Sequence, residues 1–542
     1  MRVHPGGIYL AHTGDLPNKP PENCVFICDG TRPSKVWNMW PCDIIYVENA
    51  QGGLIGIFNT VQHILDKLVT WEDNMQRLQT SGANVRELVD ESIPIFENRV
   101  TVCDYELRIL AGSDCDESHP EWGYHMITDL ERVPLDKMLS SKDDRLSSIR
   151  KREPYFYDVG DGTPTYCINF YLGDTYIGSC SLQGTSHPLE QHDLELFQLF
   201  AEYVHGTLAQ QARSMGTQHT AVRTTVGWYD FTHRLFEISG PDALMFLNKM
   251  YLSNLDNLAV GRARYTPMLD EDGWICDDVI IFRLEEDRFW VSTLYGKDLV
   301  MRYGWYIEDY DVEYEDKTFE IRMFAVQGPK SREVMDAVID GSVEGMKFFS
   351  IKEDTIGEIP VHVARAGYTG EKWGFELYVP AENVEEVMAK LDAAATEQGG
   401  LHVTEIDAMA MTLPAEAGYY LMLDLRRCTP YEVGFDSMVD FSKDFVGKRA
   451  LRKLSRKEPA RELVGIEVPD YDAVIYGGPD RKGNEVFKDG KHIGYVTKIT
   501  YGFTAEKNIG YALLKKGSVE LGDVVKVNNR YDAIITPKKH LA

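Results

Sequence analysis

The stretch Gly273-Trp274-Ile275-Cys276-Asp277-Asp278-Val279-Ile280-Ile281-Phe282 places two carboxylates at the front of an apolar run. The run predicts a buried strand, in which neighbouring side chains point to opposite faces. Only one of Asp277 and Asp278 can therefore face a given pocket. Burial beside a hydrophobic strand raises the pKa of a carboxyl group and suits it to proton transfer. A solvated start of the strand, after the turn Glu271-Asp272-Gly273, explains the pair equally well.

A glycine-rich cluster follows further along the chain, in Arg365-Ala366-Gly367-Tyr368-Thr369-Gly370-Glu371 and Gly374-Phe375-Glu376. Its glycines predict a shaped loop that approaches a ligand or another backbone closely. Glu376 lies in the alternating run Phe375-Glu376-Leu377-Tyr378-Val379, which predicts partial burial of its carboxylate. A buried carboxylate needs hydrogen-bond donors. A heterocycle with an amino group beside a ring N–H would present two donors in parallel, as a guanidinium does.

The composition of the chain excludes one broad class of partner. Its 542 residues include 57 Lys+Arg and 85 Asp+Glu, which gives a formal net charge of −28 at pH 7. Proteins that bind nucleic acid or anionic membranes need a basic surface, so we expect neither as a general partner. The hydrophobic fraction of 44% is typical of a folded protein. The length predicts about three or four domains.

The cysteines and the apolar segments bear on the compartment. The nine cysteines are odd in number and irregularly spaced, so we expect neither a disulfide framework nor a metal site. The N-terminus lacks the apolar run of a signal peptide. A stretch of about 18 apolar residues, which a membrane-spanning helix needs, does not occur. We therefore expect a cytoplasmic protein without a membrane partner.

The first half of the chain alternates helix and strand patterns. Apolar residues recur at helical spacing over 54–78 and again over 189–209. Polar segment 210–218 has no hydrophobic period and predicts the boundary between two halves. A second break is predicted at 453–462. Strand patterns occupy four stretches, the last two joined by a hairpin turn at Gly173-Asp174: Val100–Cys103, Leu107–Leu110, Thr165–Leu172 and Thr175–Leu182.

The stretches Val102–Ala111, Ile168–Leu172 and Tyr176–Leu182 resemble the strands of a GAF- or PAS-like sensory domain. The similar domains open bacterial regulators of the purine and sugar-diacid type. Such a domain binds a small molecule over its sheet or forms a homodimer, and either role is open here. No helix-turn-helix follows, so the resemblance implies sensing without DNA. Five residues could line its pocket or could be ordinary loop residues: Trp122, Tyr124, His125, Tyr155 and Tyr157.

A series of short motifs runs in a fixed order through residues 219–535. They include Ala221–Thr224, Ser239–Ala243, Tyr265–Leu269, Gly273–Asp278, Val326–Lys330, Gly367–Glu376, Glu416–Gly418, Asp444–Lys448, Ile493–Thr497 and Asn508–Ala512. In this order they resemble the glycine-cleavage T-protein (aminomethyltransferase) family, which also contains folate-dependent demethylases. The family fold consists of three subdomains around a central hole that holds tetrahydrofolate.

This resemblance implies roles for five residues. Asp278 would be the catalytic acid beside the reacting folate nitrogen, and Glu376 would hold the pterin ring with paired hydrogen bonds. Tyr265, Asp277 and Tyr368 would contact the same cofactor. Because one-carbon transfer needs positioning and one proton movement, a desolvated carboxylate in an aromatic slot would suffice.

The predicted fold class is α+β: a GAF/PAS-like α/β sensor, then the three-subdomain aminomethyltransferase folate-binding fold with a C-terminal β-barrel. Four segments follow from this division. They are an N-terminal helical and extended segment (1–84), the sensor (85–210), the folate-binding domain (219–455) and the barrel (460–542).

Three departures from the family pattern bear on the substrate. Pro414 stands where the family has an arginine, so a basic contact is lost. Trp290-Val291-Ser292-Thr293 lacks an amide that the family carries, and Gly227–Arg234 is bulkier than its counterpart. We therefore predict a tetrahydrofolate-dependent methyl or aminomethyl transferase that demethylates a small methylated substrate. The alternatives are a non-catalytic folate- or metabolite-binding regulatory protein and a true glycine-cleavage aminomethyltransferase.

Overall fold

The computed structural model places the strands that it describes in four β-sheets. They are a small parallel sheet, a five-stranded sheet, an eleven-stranded sheet and a closed barrel. Among the residues that it describes, no helix combines the length and the apolar character needed to cross a membrane. The described residues are 7–17, 22–30, 42–48, 51–105, 108–113, 149–158, 163–294, 296–471, 473, 475, 477–478 and 483–541.

The N-terminal sheet is small and packs beside a long helix. Its parallel strands are β1 (Ile8–His12), β2 (Val25–Asp29) and β3 (Asp43–Tyr46). Helix α1 (Gly53–Ser81) confirms the helix predicted over 54–78. Its second half is buried through Trp71, whose indole N–H donates to a serine of the next helix.

The five-stranded sheet has the order β5-β4-β8-β7-β6. The predicted strands and their hairpin turn are confirmed, except that the second strand begins at Ile109 and Leu107 lies outside the described residues. Helices α1, α2 (Val85–Ser92) and α3 (Gln191–Thr224) pack together with this sheet in one apolar core. The assignment to the GAF/PAS-like domains stays a prediction. The strands are β4 (Arg99–Asp104), β5 (Ile109–Gly112), β6 (Tyr155–Asp158), β7 (Pro164–Leu172) and β8 (Thr175–Gln183).

The aromatic residues predicted for a sensor pocket are largely outside the described part of the chain. The described residues do not include Trp122, Tyr124 and His125, nor the side chain of Tyr157. Tyr155 is described: its hydroxyl donates to Asn169 at 3.4 Å. A pocket lined by these five residues therefore stays a prediction.

Helix α3 spans the predicted boundary at 210–218. The helix runs without interruption from Gln191 to Thr224, so the polar segment is helical and the two halves share one continuous helix. Its first part buries Phe197 and Val204 in the N-terminal core. Its last part buries Gln218, whose amide oxygen accepts from the backbone N–H groups of Thr404 and Glu405 at 2.8 Å each. Gln218 is polar because it bonds a second part of the protein, and polarity alone does not distinguish such a helix from a loop.

The eleven-stranded sheet forms the body of the protein. Its order is β14-β10-β13-β12-β11-β16-β17-β18-β15-β9-β19, antiparallel except for the pair β9–β19. Apolar cores pack against this sheet. The strands are β9 (Gly227–Asp230), β10 (Arg234–Ser239), β11 (Arg262–Leu269), β12 (Ile275–Glu285), β13 (Arg288–Thr293), β14 (Glu313–Asp316), β15 (Ile321–Gln327), β16 (Ser350–Ile356), β17 (Ile359–Arg365), β18 (Gly374–Pro380) and β19 (Leu401–His402).

Helices of the body cover the sheet and lead to the barrel. A π-helix (Ala408–Thr412) immediately precedes α8. Pro414, in α8, has no N–H to continue the regular hydrogen bonds, which accounts for the widened turn before it. The helices are α4 (Ala243–Met250), α5 (Lys297–Tyr306), α6 (Ser331–Val338), α7 (Val384–Glu397), α8 (Leu413–Ala417), α9 (Met422–Leu425), α10 (Pro430–Val433) and α11 (Lys448–Leu454).

A closed six-stranded barrel ends the chain and confirms the predicted C-terminal β-barrel. Its order is β20-β23-β22-β21-β24-β25, around an apolar interior. The predicted break at 453–462 coincides with the end of α11 and the start of the first barrel strand. The strands are β20 (Arg461–Val468), β21 (Glu485–Lys488), β22 (Lys491–Gly502), β23 (Lys507–Lys515), β24 (Val524–Val527) and β25 (Tyr531–Thr536).

Candidate active site

A cavity of about 990 Å³ lies between the eleven-stranded sheet and the segments that lead to the barrel. Strands β11, β12 and β13 line one side of it, and residues 418–422, 435, 437–438 and 440 line another. Four of the five predicted site residues face this cavity: Tyr265, Asp278, Tyr368 and Glu376. They come from separate parts of the sequence, and the strand order β12-β11-β16-β17-β18 brings them to one place.

Asp278 is held at the cavity by its neighbour on β11. It pairs with Pro267 in the sheet, and the Tyr265 hydroxyl, two residues from Pro267, donates to Oδ2 at 2.9 Å. Burial raises the pKa of Asp278 to about 6, even though the Tyr265 hydroxyl and the Asp278 backbone N–H lower it. The charge of Asp424 raises it further. A carboxyl group with this pKa exchanges protons readily near neutral pH.

Asp277 points away from the cavity, so the prediction that it contacts the cofactor is not supported by its position. It is 1% exposed. Both of its oxygens lie 3.0 Å from the Thr293 hydroxyl, and Oδ1 also accepts from the Asp278 backbone N–H at 2.8 Å. The strand alternation that separates Asp277 from Asp278 is the physical reason. Asp277 instead ties β12 to β13 directly behind Asp278.

Glu376 is the second desolvated carboxyl group of the cavity. Burial raises its pKa to about 7, although the Tyr378 hydroxyl donates to Oε2 at 2.9 Å and lowers it. Tyr378 also hydrogen-bonds Ser292, whose hydroxyl lies 2.8 Å from His233 Nε2. His233 Nδ1 lies 2.6 Å from the Phe231 carbonyl, which accepts from it. This chain of hydrogen bonds fixes the orientation of Glu376.

Stacked aromatic rings form a slot in the same cavity. Tyr368 lies between Phe231 and Tyr419, with ring centroids 6.3 Å and 5.9 Å apart and interplanar angles of 20° and 24°. Its hydroxyl donates to the Tyr420 carbonyl, which prevents the ring from turning. Such a series of parallel faces suits a flat heterocycle or an aromatic ring.

The glycine cluster is explained by a buried glutamine. A Cβ on Gly367 or Gly374 would lie 2.0 Å or 2.3 Å from the Gln327 side chain. Gln327 Nε2 donates to the Ala366 and Phe375 carbonyls, both at 3.2 Å. The close approach predicted from these glycines is therefore made by a side chain of the protein, which shapes the loop that carries Tyr368.

The position of Pro414 does not leave the nearby carboxylate without a cation. Glu416 is fully buried, and its Oε2 accepts from Arg223 Nε and Nη2, both at 3.2 Å, and lies 3.1 Å from His219 Nε2. Burial alone would raise the pKa of Glu416, but His219, Arg223 and the Thr504 N–H lower it to about 2. Arg223 and His219 come from the end of α3, so the long helix supplies basic groups here.

The barrel holds the cavity wall from behind. Lys498 of β22 and Asp424 of α9 form a fully buried ion pair at 3.2 Å. Lys498 Nζ also donates to the Tyr419 carbonyl at 3.1 Å, and the Leu421 N–H donates to Asp424 Oδ2 at 2.9 Å. Tyr511 of β23 donates to the Tyr419 carbonyl at 3.2 Å. These contacts fix the backbone of 419–421, which lines the cavity.

The hydrogen bonds of Tyr378 and Ser292 do not follow from the motifs that predicted the site residues. Tyr378 lies two residues from Glu376 on the same strand, so the rule that alternate residues share a face would have found it. Ser292 stands where the family pattern has an amide, and its hydroxyl bridges Tyr378 and His233. No pattern in the sequence indicates this bridge, because it joins β10, β13 and β18.

Two family profiles match the chain. Residues 190–443 match the GCVT N-terminal domain, and residues 461–539 match the glycine cleavage T-protein C-terminal barrel domain. The aminomethyltransferase of Geobacillus sp. (strain WCH70) is 34% identical over 333 residues, which cover 60% of this chain and 88% of that protein. The aminomethyltransferase of Bacillus subtilis (strain 168) is 33% identical over 352 residues, which cover 62% and 94%.

A solved structure shares the fold. The glycine cleavage system aminomethyltransferase T from Bartonella henselae aligns with a TM-score of 0.51 and 24% sequence identity. The alignment covers 60% of this chain and 88% of that protein. At this identity the similarity concerns the fold alone.

Proposed function

Because this chain belongs to the glycine cleavage T-protein family of aminomethyltransferases, we propose that it is a tetrahydrofolate-dependent one-carbon transferase acting on a small methylated substrate. The family relationship supports folate-dependent one-carbon transfer. Demethylation of a small substrate is the finer part of the proposal. It is supported by the departures from the family pattern at Pro414 and at Trp290–Thr293, because Ser292 and Thr293 of the second departure line the cavity.

One observation carries the proposal: Asp278 and Glu376 are both desolvated and both face a single cavity. Their pKa values are raised to about 6 and about 7, so each changes charge near neutral pH. Buried carboxyl groups are costly unless a partner uses them. Perturbed carboxyl groups in a cleft are typical of catalytic sites.

The cavity suits a folate. Its volume of about 990 Å³ is at the upper end of the range for small-molecule sites, roughly 300–1,000 Å³. The parallel faces of Phe231, Tyr368 and Tyr419 provide stacking surfaces for flat rings. Glu376 has one oxygen bonded to Tyr378, and its other oxygen has no hydrogen-bond partner among the described residues. It can accept from a ring that presents an amino group beside an N–H.

The residues that line the cavity would have different roles in the reaction. Tetrahydrofolate, when bound, supplies the nitrogen that carries the one-carbon unit. Asp278 holds or moves a proton at its carboxylate, and Tyr265 keeps that carboxylate in place through Oδ2. Glu376 orients the ligand, and the aromatic slot excludes water from it. The reaction then depends on positioning and one proton transfer.

Two alternatives predict different products or none. A true glycine-cleavage aminomethyltransferase would use a lipoyl-bound aminomethyl donor, and a regulatory protein would bind folate without turnover. The test is mass spectrometry of the folate products after incubation of tetrahydrofolate with methylated compounds or with an aminomethyl-lipoyl donor. A methylated folate formed only from a small compound supports the proposal.

Asp278→Asn is the matched test of the catalytic role. It should retain tetrahydrofolate binding and lose turnover by roughly 100-fold or more, as general acid–base catalysis contributes about 10²–10⁴-fold. Asp272→Asn is the control, because Asp272 is exposed on the turn before β12 and lies outside the cavity. Unchanged turnover in Asp278→Asn would overturn the catalytic assignment. Absence of any folate product with all donors would favour the regulatory alternative.

A further inference from the structure

Two arginines line the cavity side by side without a carboxylate partner. Arg262 and Arg264 lie two residues apart on β11, so their side chains leave the strand on the same face. Both are half-buried and both line the cavity. Across the described residues, no carboxylate oxygen lies within 4.0 Å of either guanidinium. This is unexpected in a chain with a net charge of −28.

Neutral oxygens hold the two guanidinium groups in place. Arg262 Nη2 donates to the Phe348 carbonyl at 3.0 Å, while Nη1 is buried and has no hydrogen-bond partner among the described residues. Arg264 Nη1 donates to the Asn254 carbonyl and to Asn257 Oδ1, the latter at 2.7 Å. Burial also lowers the pKa of Arg264. Two adjacent, partly desolvated cations are costly unless an anion joins them.

The carboxylates of the cavity itself are already engaged. Asp440 Oδ2 accepts from Asn254 Nδ2 at 2.9 Å, and its Oδ1 accepts from the Ser442 N–H at 2.8 Å. Asp278 and Glu376 accept from their own tyrosines. The missing anion must therefore come from outside the protein. We propose that Arg262 and Arg264 form a subsite for a carboxylate group of the ligand that fills this cavity.

The position of this subsite along β11 indicates the shape of the ligand. Pro267 is the sheet partner of Asp278. Arg264 is three residues and Arg262 five residues from Pro267, which is about 10 Å and about 17 Å along a strand. These odd spacings place both side chains on the face of β11 opposite Asp278, and both reach the same cavity at the edge of β11, where it pairs with β16 through Arg262. The carboxylate therefore belongs to the far end of an extended ligand whose reacting end lies at Asp278. This inference rests on the proposed function. The carboxylate has two sources, the glutamyl tail of a folate or an elongated, carboxylate-bearing methylated donor.

The experiment compares ligands with and without a carboxylate. Dissociation constants are measured for tetrahydrofolate and for 6-methyltetrahydropterin, which lacks the glutamyl tail. In parallel, 4-methoxybenzoate and uncharged methoxybenzene are titrated into protein saturated with 6-methyltetrahydropterin. The proteins are the wild type, Arg262→Gln/Arg264→Gln and Arg262→Lys/Arg264→Lys. Arg449→Gln is the control, because Arg449 is exposed on α11 outside the cavity.

The Gln variant should weaken binding of one carboxylate ligand by roughly 10- to 100-fold and leave its carboxylate-free counterpart within about twofold. Loss for tetrahydrofolate assigns the subsite to the glutamyl tail, and loss for 4-methoxybenzoate assigns it to the donor. The Lys variant should recover part of the affinity because it keeps the charge. Equal loss for charged and uncharged ligands, or no loss for any, would overturn the subsite alone. A wild type that binds neither tetrahydrofolate nor 6-methyltetrahydropterin would overturn the proposed function and this inference together.

Discussion

Replacing Tyr265 by phenylalanine removes the hydroxyl that donates to Asp278 Oδ2 at 2.9 Å. That donor stabilises the ionised carboxylate and lowers its pKa against the effect of burial. A hydrogen bond to a charged group contributes about 1.5–3 kcal/mol, and about 1.4 kcal/mol corresponds to one pH unit. Cavity water can replace part of the lost bond, so the lower value applies. We expect the pKa of Asp278 to rise from about 6 to about 7.

The assay is the pH dependence of kcat/KM for folate product formation. If ionised Asp278 accepts the proton, activity falls as the pH falls through its pKa. The acid limb should therefore move upward by about one pH unit in Tyr265→Phe. At pH 6.5 this change reduces the ionised fraction of Asp278 about threefold, whereas at pH 8.5 it changes that fraction by less than about 10%.

Tyr368→Phe is the matched control for this substitution. It removes a hydroxyl in the same cavity that donates to the Tyr420 carbonyl, not to Asp278. The rate can change in this variant, but the midpoint of the acid limb should stay at its wild-type position. An acid limb that stays in place or moves downward in Tyr265→Phe would refute the reasoning that links this tyrosine to the acidity of Asp278.

Three further predictions concern binding and stability. Tetrahydrofolate binding should tighten as the pH rises through about 7, because donors on the ligand favour ionised Glu376, and Glu376→Gln should remove this dependence in calorimetric titrations. Glu416→Gln removes the buried carboxylate that His219 and Arg223 share, although Arg223 keeps its pair with Glu371, and should lower the free energy of unfolding by about 3 kcal/mol at pH 7. The pKa of Glu416 is lowered to about 2 in the folded state, compared with about 4.3 in the unfolded state. The stabilisation by Glu416 is therefore present above about pH 4.3 and is lost as the pH falls from about 4.3 to about 2. Denaturant melts of the wild type and of Glu416→Gln should accordingly converge in acid. Arg108→Met removes the guanidinium that donates to Asp407 at 2.6 Å across the two halves of the chain. We expect faster hydrogen exchange in residues 404–412 and a lower free energy of unfolding. An unchanged free energy of unfolding would contradict this prediction.

Local pattern was sufficient for most of the elements. Helix α1 and the hairpin β7–β8 followed from apolar spacing and a Gly-Asp turn, because both are determined by residues close in sequence. The alternation along β12 also predicted that only one of Asp277 and Asp278 can face a pocket. The register with β11 decides whether Asp277 or Asp278 faces the pocket. Register is a long-range property that the stretch itself does not encode.

Long-range contacts account for what the sequence did not reveal. Segment 210–218 has the composition of a loop, but its last residue, Gln218, is buried against residues about 190 positions further along the chain. Arg223 supplies the cation beside Glu416 that Pro414 cannot, and nothing near position 414 indicates this. The glycines of 367–374 predicted a close approach without identifying Gln327 as the group that approaches.

The unbroken helix α3 has a thermodynamic consequence for the whole chain. Its 34 residues span about 50 Å, with the first part packed in the N-terminal core and the last part bonded within the body. If either part of the helix unwinds, the core that it packs against loses that packing, and the other part loses the helical turns that continue it. The two halves therefore share a common element of cooperativity, and heat should melt them in one linked transition. For the same reason, chain cleavage within 210–218 should separate the melting of the two halves, because each part of the helix keeps its own packing but the continuous helix between them is lost.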